Sequence, residues 1–166
     1  MAYDKDELLL PADIDDILVT YGYLLKSYKH LYNRNSIFAN FRRTNKRLEV
    51  LFPLIEHPVL GITGLHAVEN YNEKGYIRLY QYNWKIIIPK KSIQLSHISG
   101  WGNDPHNAEW TPDEFKIETE PHHHHYDPHD RTKRRANYDV RSLEQAFNFI
   151  KKYIETGKEY NPHDIY

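Results

Sequence analysis

The chain has 166 residues, 40% of them hydrophobic and 27% charged, which is the composition of one globular domain rather than of a disordered segment. Its 22 Lys and Arg stand against 23 Asp and Glu, a net charge of −1, so no global cationic field holds phosphate backbones and nucleic-acid binding requires a local patch. Cysteine is absent, which excludes disulfides, thiolate metal sites and thiol nucleophiles, and favours the reducing cytoplasm.

Residues 1–10 mix leucines with acidic residues and carry no cleavage signature, so they do not read as a signal peptide. No apolar run reaches the about 20 residues of a membrane span, and no membrane partner is expected. The first element is helical. Ile14, Ile17, Leu18, Tyr21, Leu24, Leu25, Tyr28 and Leu31 recur at spacings of three and four, behind Pro11 and the acidic first turn of Asp13, Asp15 and Asp16. A helix over about residues 11–32 is expected, within an N-terminal region of 1–35. Residues 37–56 read either as a hairpin whose tip is Arg42-Arg43-Thr44-Asn45-Lys46-Arg47 or as a second helix ending before Pro53.

From residue 61 to 120 the pattern is that of antiparallel strands. Residues 62–71 and 76–88 flank the turn Asn72-Glu73-Lys74-Gly75, with Tyr76, Arg78, Tyr80, Tyr82 and Trp84 sharing one face. Residues 92–98 alternate again, 99–113 read as a Gly/Asn/Asp/Pro loop, and 115–119 as a short strand. Residues 121–140 form a His-rich and then basic loop. The closing helix, within residues 141–157, has a capping-box spacing from Ser142 to Gln145 and Gly157 beyond its end. The expected fold class is therefore α+β: one domain over 1–166, an antiparallel sheet flanked by an N-terminal and a C-terminal helix.

Histidine carries the chemical signal. Seven of 11 histidines (His97, His106, His122, His123, His124, His125 and His129) fall between positions 97 and 129. On a strand His122 and His124 point to one face, and His123 and His125 to the other. Three readings are open: a hydrogen-bonded polar loop, a pair of imidazoles acting as general base and acid, or a divalent-metal site built from His122, His124, His106 and His97. The segment Ser99-Gly100-Trp101-Gly102-Asn103-Asp104-Pro105-His106 is either a functional loop of fixed geometry or a turn that packs Trp101 into the core. Arg131, Lys133, Arg134 and Arg135 put four cations in five residues. They read either as a solvated loop or as phosphate contacts, with Trp84 and the tyrosines available to stack bases.

The strand Tyr80-x-Tyr82-x-Trp84, the loop Trp101-Gly102-Asn103 leading to Pro105-His106, and the segment Pro121-His122-His123-x-His125 before a Leu-Glu-containing helix resemble the TumE-type toxin family over about residues 61–155. Gly102 replaces an Asp of that pattern, Asn107 a second His, and Tyr126–Asp139 reads as an insertion. The resemblance implies a toxin of a toxin–antitoxin pair, with a cognate antitoxin as partner. From it and the residues together comes the leading expectation, a metal-independent ribonuclease without cofactor. His106, His122 and His124 would transfer protons, and Arg131, Lys133, Arg134, Arg135 and Trp101 would hold RNA. The alternatives are a protein holding zinc or another divalent ion, and a non-enzymatic interaction module using the aromatic strand face; a homo-oligomer is compatible with each.

Overall fold

A computed structural model describes residues 8–26, 28, 39–89, 93–105 and 111–164. Among these the period-two alternation is expressed as seven strands: β1 (Ala39–Arg43), β2 (Arg47–Pro53), β3 (Thr63–Tyr71), β4 (Ile77–Ile88), β5 (Ile93–Gly102), β6 (His123–His125) and β7 (Arg135–Ala136). Each strand pairs antiparallel with its sequence neighbour, so the sheet is a single meander in chain order. Two helices, α1 (Ile14–Tyr21) and α2 (Leu143–Thr156), pack on one face, and the whole is a single α+β domain.

The face under the helices is aromatic. Tyr80, Tyr82 and Trp84 of β4, Trp101 of β5 and Phe52 of β2 meet Phe147, Phe149, Ile150 and Tyr153 of α2. Phe147 stands edge-on to Phe52 and stacks on Tyr21 of α1, both at 5.1 Å between centroids, so one side chain joins sheet and both helices. Truncating such a residue costs about 3–5 kcal/mol through lost burial and the cavity left behind. The aromatic face of β4 is thus covered, and the interaction module that would have presented it to a partner loses its surface. Within this layer Glu69 is fully buried (0% exposed). It accepts on both oxygens, from Ala12 N–H (3.0 Å) and Tyr71 OH (2.8 Å) on one and Tyr82 OH (2.5 Å) on the other, tying the N-terminal segment to the sheet.

The ends of α2 follow from its sequence. Ser142 Oγ accepts from Gln145 N–H at 3.1 Å, while Gln145 Oε1 reaches back to the N–H of Arg141 (2.8 Å), one residue beyond the reciprocal partner of a capping box. Gly157 closes the helix at φ 69°, where a side chain would be strained, and donates to Tyr153 O.

Three expectations are corrected. The first helix stops at Tyr21, passes through a 3-10 turn at Gly22–Leu24, and becomes extended at Leu25, which bridges to Leu54. Burial of Leu24 and Leu25 against β2, with Ile55 N–H donating to Leu24 O at 2.9 Å, outweighs continued helical periodicity. The remainder of that expected helix, residue 27 and residues 29–32, lies outside the described residues. Of the two readings open for residues 37–56, the hairpin is the one adopted, as β1 and β2 over 39–53, with Thr44 Oγ1 accepting from Lys46 and Arg47 N–H at its tip; residues 37 and 38 lie outside the described residues. The expected loop from residue 99 begins as strand, since β5 runs on through Trp101, and the strand expected over 115–119 is instead a 3-10 turn at Asp113–Phe115 followed by irregular chain.

Candidate active site on the sheet face opposite the two helices

Strand β6 divides the histidine run by parity, and β5 decides which side is which. His124 pairs with Trp101, whose ring lies 4.9 Å from both His124 and Phe149, so the even-numbered side faces α2. His122 (2% exposed) and His124 (0%) are core side chains. Tyr80 OH lies 2.9 Å from His122 Nδ1, and Asn137 Nδ2 donates to Tyr80 Oη and to Val140 O. Arg135 Nε donates to His124 Nδ1 at 3.1 Å, which leaves the His124 proton on Nε2, 2.5 Å from Ser99 Oγ. Ser99 in turn faces Tyr160, whose hydroxyl donates to Tyr126 O at 2.7 Å. This is a directed chain of donors, and it fixes Ser99 as an acceptor from histidine rather than a nucleophile activated by it. Burial first, and the Arg135 charge second, hold His124 well below the usual imidazole range.

The expected catalytic pair His122 and His124 and the expected base-stacking Trp101 (1% exposed) are therefore buried on the α2 side of the sheet. The alternative in which Trp101 simply packs into the core is the one the structure adopts. His106, the third expected catalytic residue, lies outside the described residues.

The odd-numbered histidines occupy the other face. His123 and His125 stand 4.9 Å apart, ring to ring. His123 Nδ1 donates to Pro121 O (2.9 Å) and its Nε2 is 3.2 Å from Asp104. His97 reaches the same face because β4–β5 register shifts next to Lys85, so that Trp84 opposes Ser99 on the core side while Lys85 opposes His97 on the outer side. Two ring nitrogens here, His97 Nε2 and His125 Nδ1, are buried with no hydrogen-bond partner. His125 bonds to the Arg131 backbone, and burial, followed by the neighbouring His123, pushes it down to about 4. Burial, then the charges of Arg131 and Lys85, lowers His97. Both imidazoles are neutral at pH 7.

The backbone makes room for these groups. A Cβ on Gly100 would overlap Asn83 Oδ1, so the glycine lets the Asn83 amide lie flat across β5 beside His125, its register partner. Asn103 continues the β4 ladder with its side chain, accepting from Tyr80 N–H (2.7 Å) and donating to Arg78 O (3.1 Å), and so sets Asp104 against His123. The expected turn-former is thus a strand terminator that positions the site. His66 and Glu49 (3.1 Å) extend the polar face, and with Gln81 and Asp104 they line a cleft of about 360 Å³. Burial lowers His66 despite Glu49, which acts in the opposite direction.

The basic segment separates in the same way. Arg135 is occupied by His124, Pro162 O, Asp164 O and the Tyr126 ring. Arg134 is paired with Glu120 at 2.5 Å with its side chain 5% exposed, and Lys133 with Asp127 at 3.4 Å. Arg131 is exposed, and its charge bears on both His97 and Lys85. The cations whose charges bear on these histidines are thus Arg131 and Lys85, the latter not singled out by composition. Among the described residues, no three His or carboxylate side chains converge as a metal centre would need. No helix among them is long and apolar enough to cross a membrane.

The described residues form an α+β meander with a largely buried group of histidines on the sheet face opposite α2. No family profile, no curated protein and no solved structure matches the chain.

Proposed function

We propose that the sheet face opposite α1 and α2 cleaves RNA by metal-independent acid–base chemistry, with His125 and His97 in the roles that the sequence assigns to the even-numbered histidines. The observation that carries this reading is the pair of buried, unpartnered ring nitrogens, His125 Nδ1 and His97 Nε2, beside the cations Lys85 and Arg131. Because the His125 ring bonds to the Arg131 backbone, its Nδ1 presents a lone pair. Both nitrogens are buried, so the rings turn towards the surface as RNA binds; the His125 nitrogen then takes the proton of a ribose 2′-hydroxyl as the 2′-oxygen attacks the adjacent phosphorus. The P–O5′ bond breaks, the 5′-oxygen takes a proton from protonated His97, and a 2′,3′-cyclic phosphate remains. Lys85 and Arg131 neutralise the non-bridging oxygens as charge develops. A phosphate bound between the two rings restores the proton that burial denies His97, so activity peaks on the acid side of pH 6.5. The resemblance to toxin components is in keeping with such a ribonuclease and with a cognate antitoxin as its inhibitor.

The test is RNA cleavage in EDTA by wild type, His125→Gln and His97→Gln. The expected outcome is cyclic-phosphate ends from wild type and a loss of about 10²–10⁴-fold in each variant, the range for a positioned proton-transfer group. Activity lost to EDTA and restored by zinc or manganese would shift the same nitrogens to a metal reading. Cleavage by both variants at the wild-type rate, or no cleavage of any RNA, would reject the site.

A further inference from the structure

We infer that the basic tips of the β1–β2 and β3–β4 hairpins form the track along which a single-stranded nucleic acid enters the histidine face, an inference that rests on the reading just given. Lys46 and Arg47 from one tip and Lys74 and Arg78 from the other line a cleft of about 750 Å³ with Asn72 between them. Glu73 is the sole anion of that lining, so the local charge is 4 − 1 = +3 on a chain of net charge −1. Arg47 is also paired with Glu49 at 3.2 Å, and Glu49 and Asp104 line the adjoining cleft; a denser acidic cluster lies elsewhere, where Asp13, Asp15 and Asp16 open α1 and the charges of Asp13 and Asp16 bear on Glu144 at the start of α2.

The cleft is continuous with the proposed site. It shares Arg47 and Asn70 with the smaller cleft that holds His66, Gln81 and Asp104, and Asp104 touches His123. Gln81 lies three residues along β4 from Arg78 and two strands across from His123, through Gly102. The route is about 10 Å along the strand and about 10 Å across it, the length of a few nucleotides. It is edged by the side-chain amides of Asn70, Asn72 and Gln81, which offer both donors and acceptors to unpaired base edges. The aromatic rings that usually stack single-stranded bases are turned to the core here, so charge carries the affinity. Steep salt dependence is the signature that follows.

The experiment uses the full chain and a single-stranded DNA 12-mer, which has the phosphates but no 2′-hydroxyl to cleave, alongside the RNA of the same sequence. For four phosphate contacts the slope of log K against log salt is about −3, and the triple variant Lys46→Gln/Lys74→Gln/Arg78→Gln should lose about 2 of it and bind roughly 100-fold more weakly at 0.1 M salt. All three side chains are exposed, and Lys116→Gln, on the irregular segment after the 3-10 turn, serves as a control for loss of a single positive charge away from the track and leaves binding unchanged. An unaltered slope in the triple variant, or no DNA binding by wild type at low salt, overturns the track. RNA cleavage that persists with an unaltered slope leaves the catalytic reading standing without the track; salt-sensitive binding without any cleavage does the reverse.

Discussion

The neutral state of His125 has a cost that appears as acid lability. Its imidazole is pushed down to about 4, first by burial and then by the adjacent His123, against about 6.5 for the unfolded chain. The folded value is the lower one. As pH falls through 6.5 the unfolded chain takes up a proton that the folded protein refuses until about pH 4, so stability declines across this window and levels off below it. Above pH 7 the group contributes nothing. The full shift is equivalent to about 2 kcal/mol at pH 5, and because His125 is partly exposed solvent screening reduces this to about 1 kcal/mol. For a chain of this size that is a fall of about 2–4 °C in Tm. Burial lowers His124, His97 and His66 as well, so each adds to the loss in the same direction. The assay is thermal unfolding of wild type and His125→Gln at pH 7.5 and pH 5.0. Wild type should lose stability on acidification, and the variant should lose about 1 kcal/mol less. A wild type equally stable at both pH values, or a variant with the same acid loss, would refute the claim that this imidazole is held neutral.

Glu69→Gln should lower stability by about 2–4 kcal/mol, because one amide oxygen cannot replace two accepting oxygens and its NH₂ would face a tyrosine hydroxyl or the Ala12 N–H. Calorimetry should show Tm falling by about 5–15 °C, and an unchanged Tm would mean that the N-terminal segment is not anchored there. Gly100→Ala should cost about 1–3 kcal/mol by driving Asn83 off β5, and the added substitution Asn83→Ala should recover much of it. Additive effects in that double-mutant cycle would show that Gly100 is not conserving space for Asn83.

Much of the architecture was legible because several local signals agreed. In α2 the apolar stripe, Ser142 and Gly157 point to the same limits, and the β3–β4 hairpin combines alternation with a Gly-containing turn. The errors lie where tertiary contacts override a local pattern. Leu24 and Leu25 continue a helical stripe in sequence, but the Leu54 edge captures Leu25 as a β-bridge. The Gly-Trp-Gly segment reads as a loop, yet its glycines sit in a strand, where Gly100 leaves room for the Asn83 side chain.

The histidine run shows most clearly what alternation does and does not specify. Parity separates His122 and His124 from His123 and His125, but nothing in parity says which pair faces α2. That sign is set at a distance, by the packing of Trp101 against Phe149 and by the register shift beside Lys85 that turns His97 outward. The two sets then have opposite chemistry from one short strand. On the core side, Arg135, His124, Ser99, Tyr160 and Tyr126 form a directed hydrogen-bond chain that links β5, β6, β7 and the C-terminal segment, and these groups have no proton to spare. On the outer side, the same backbone presents His125 and His97 with one unpartnered nitrogen each. The proposed proton transfer would draw on both halves. Rings that exchange protons need a strand that holds its position, and the hydrogen-bonded histidines behind β6 anchor that strand while Gly100 and Asn83 shape the face in front of it.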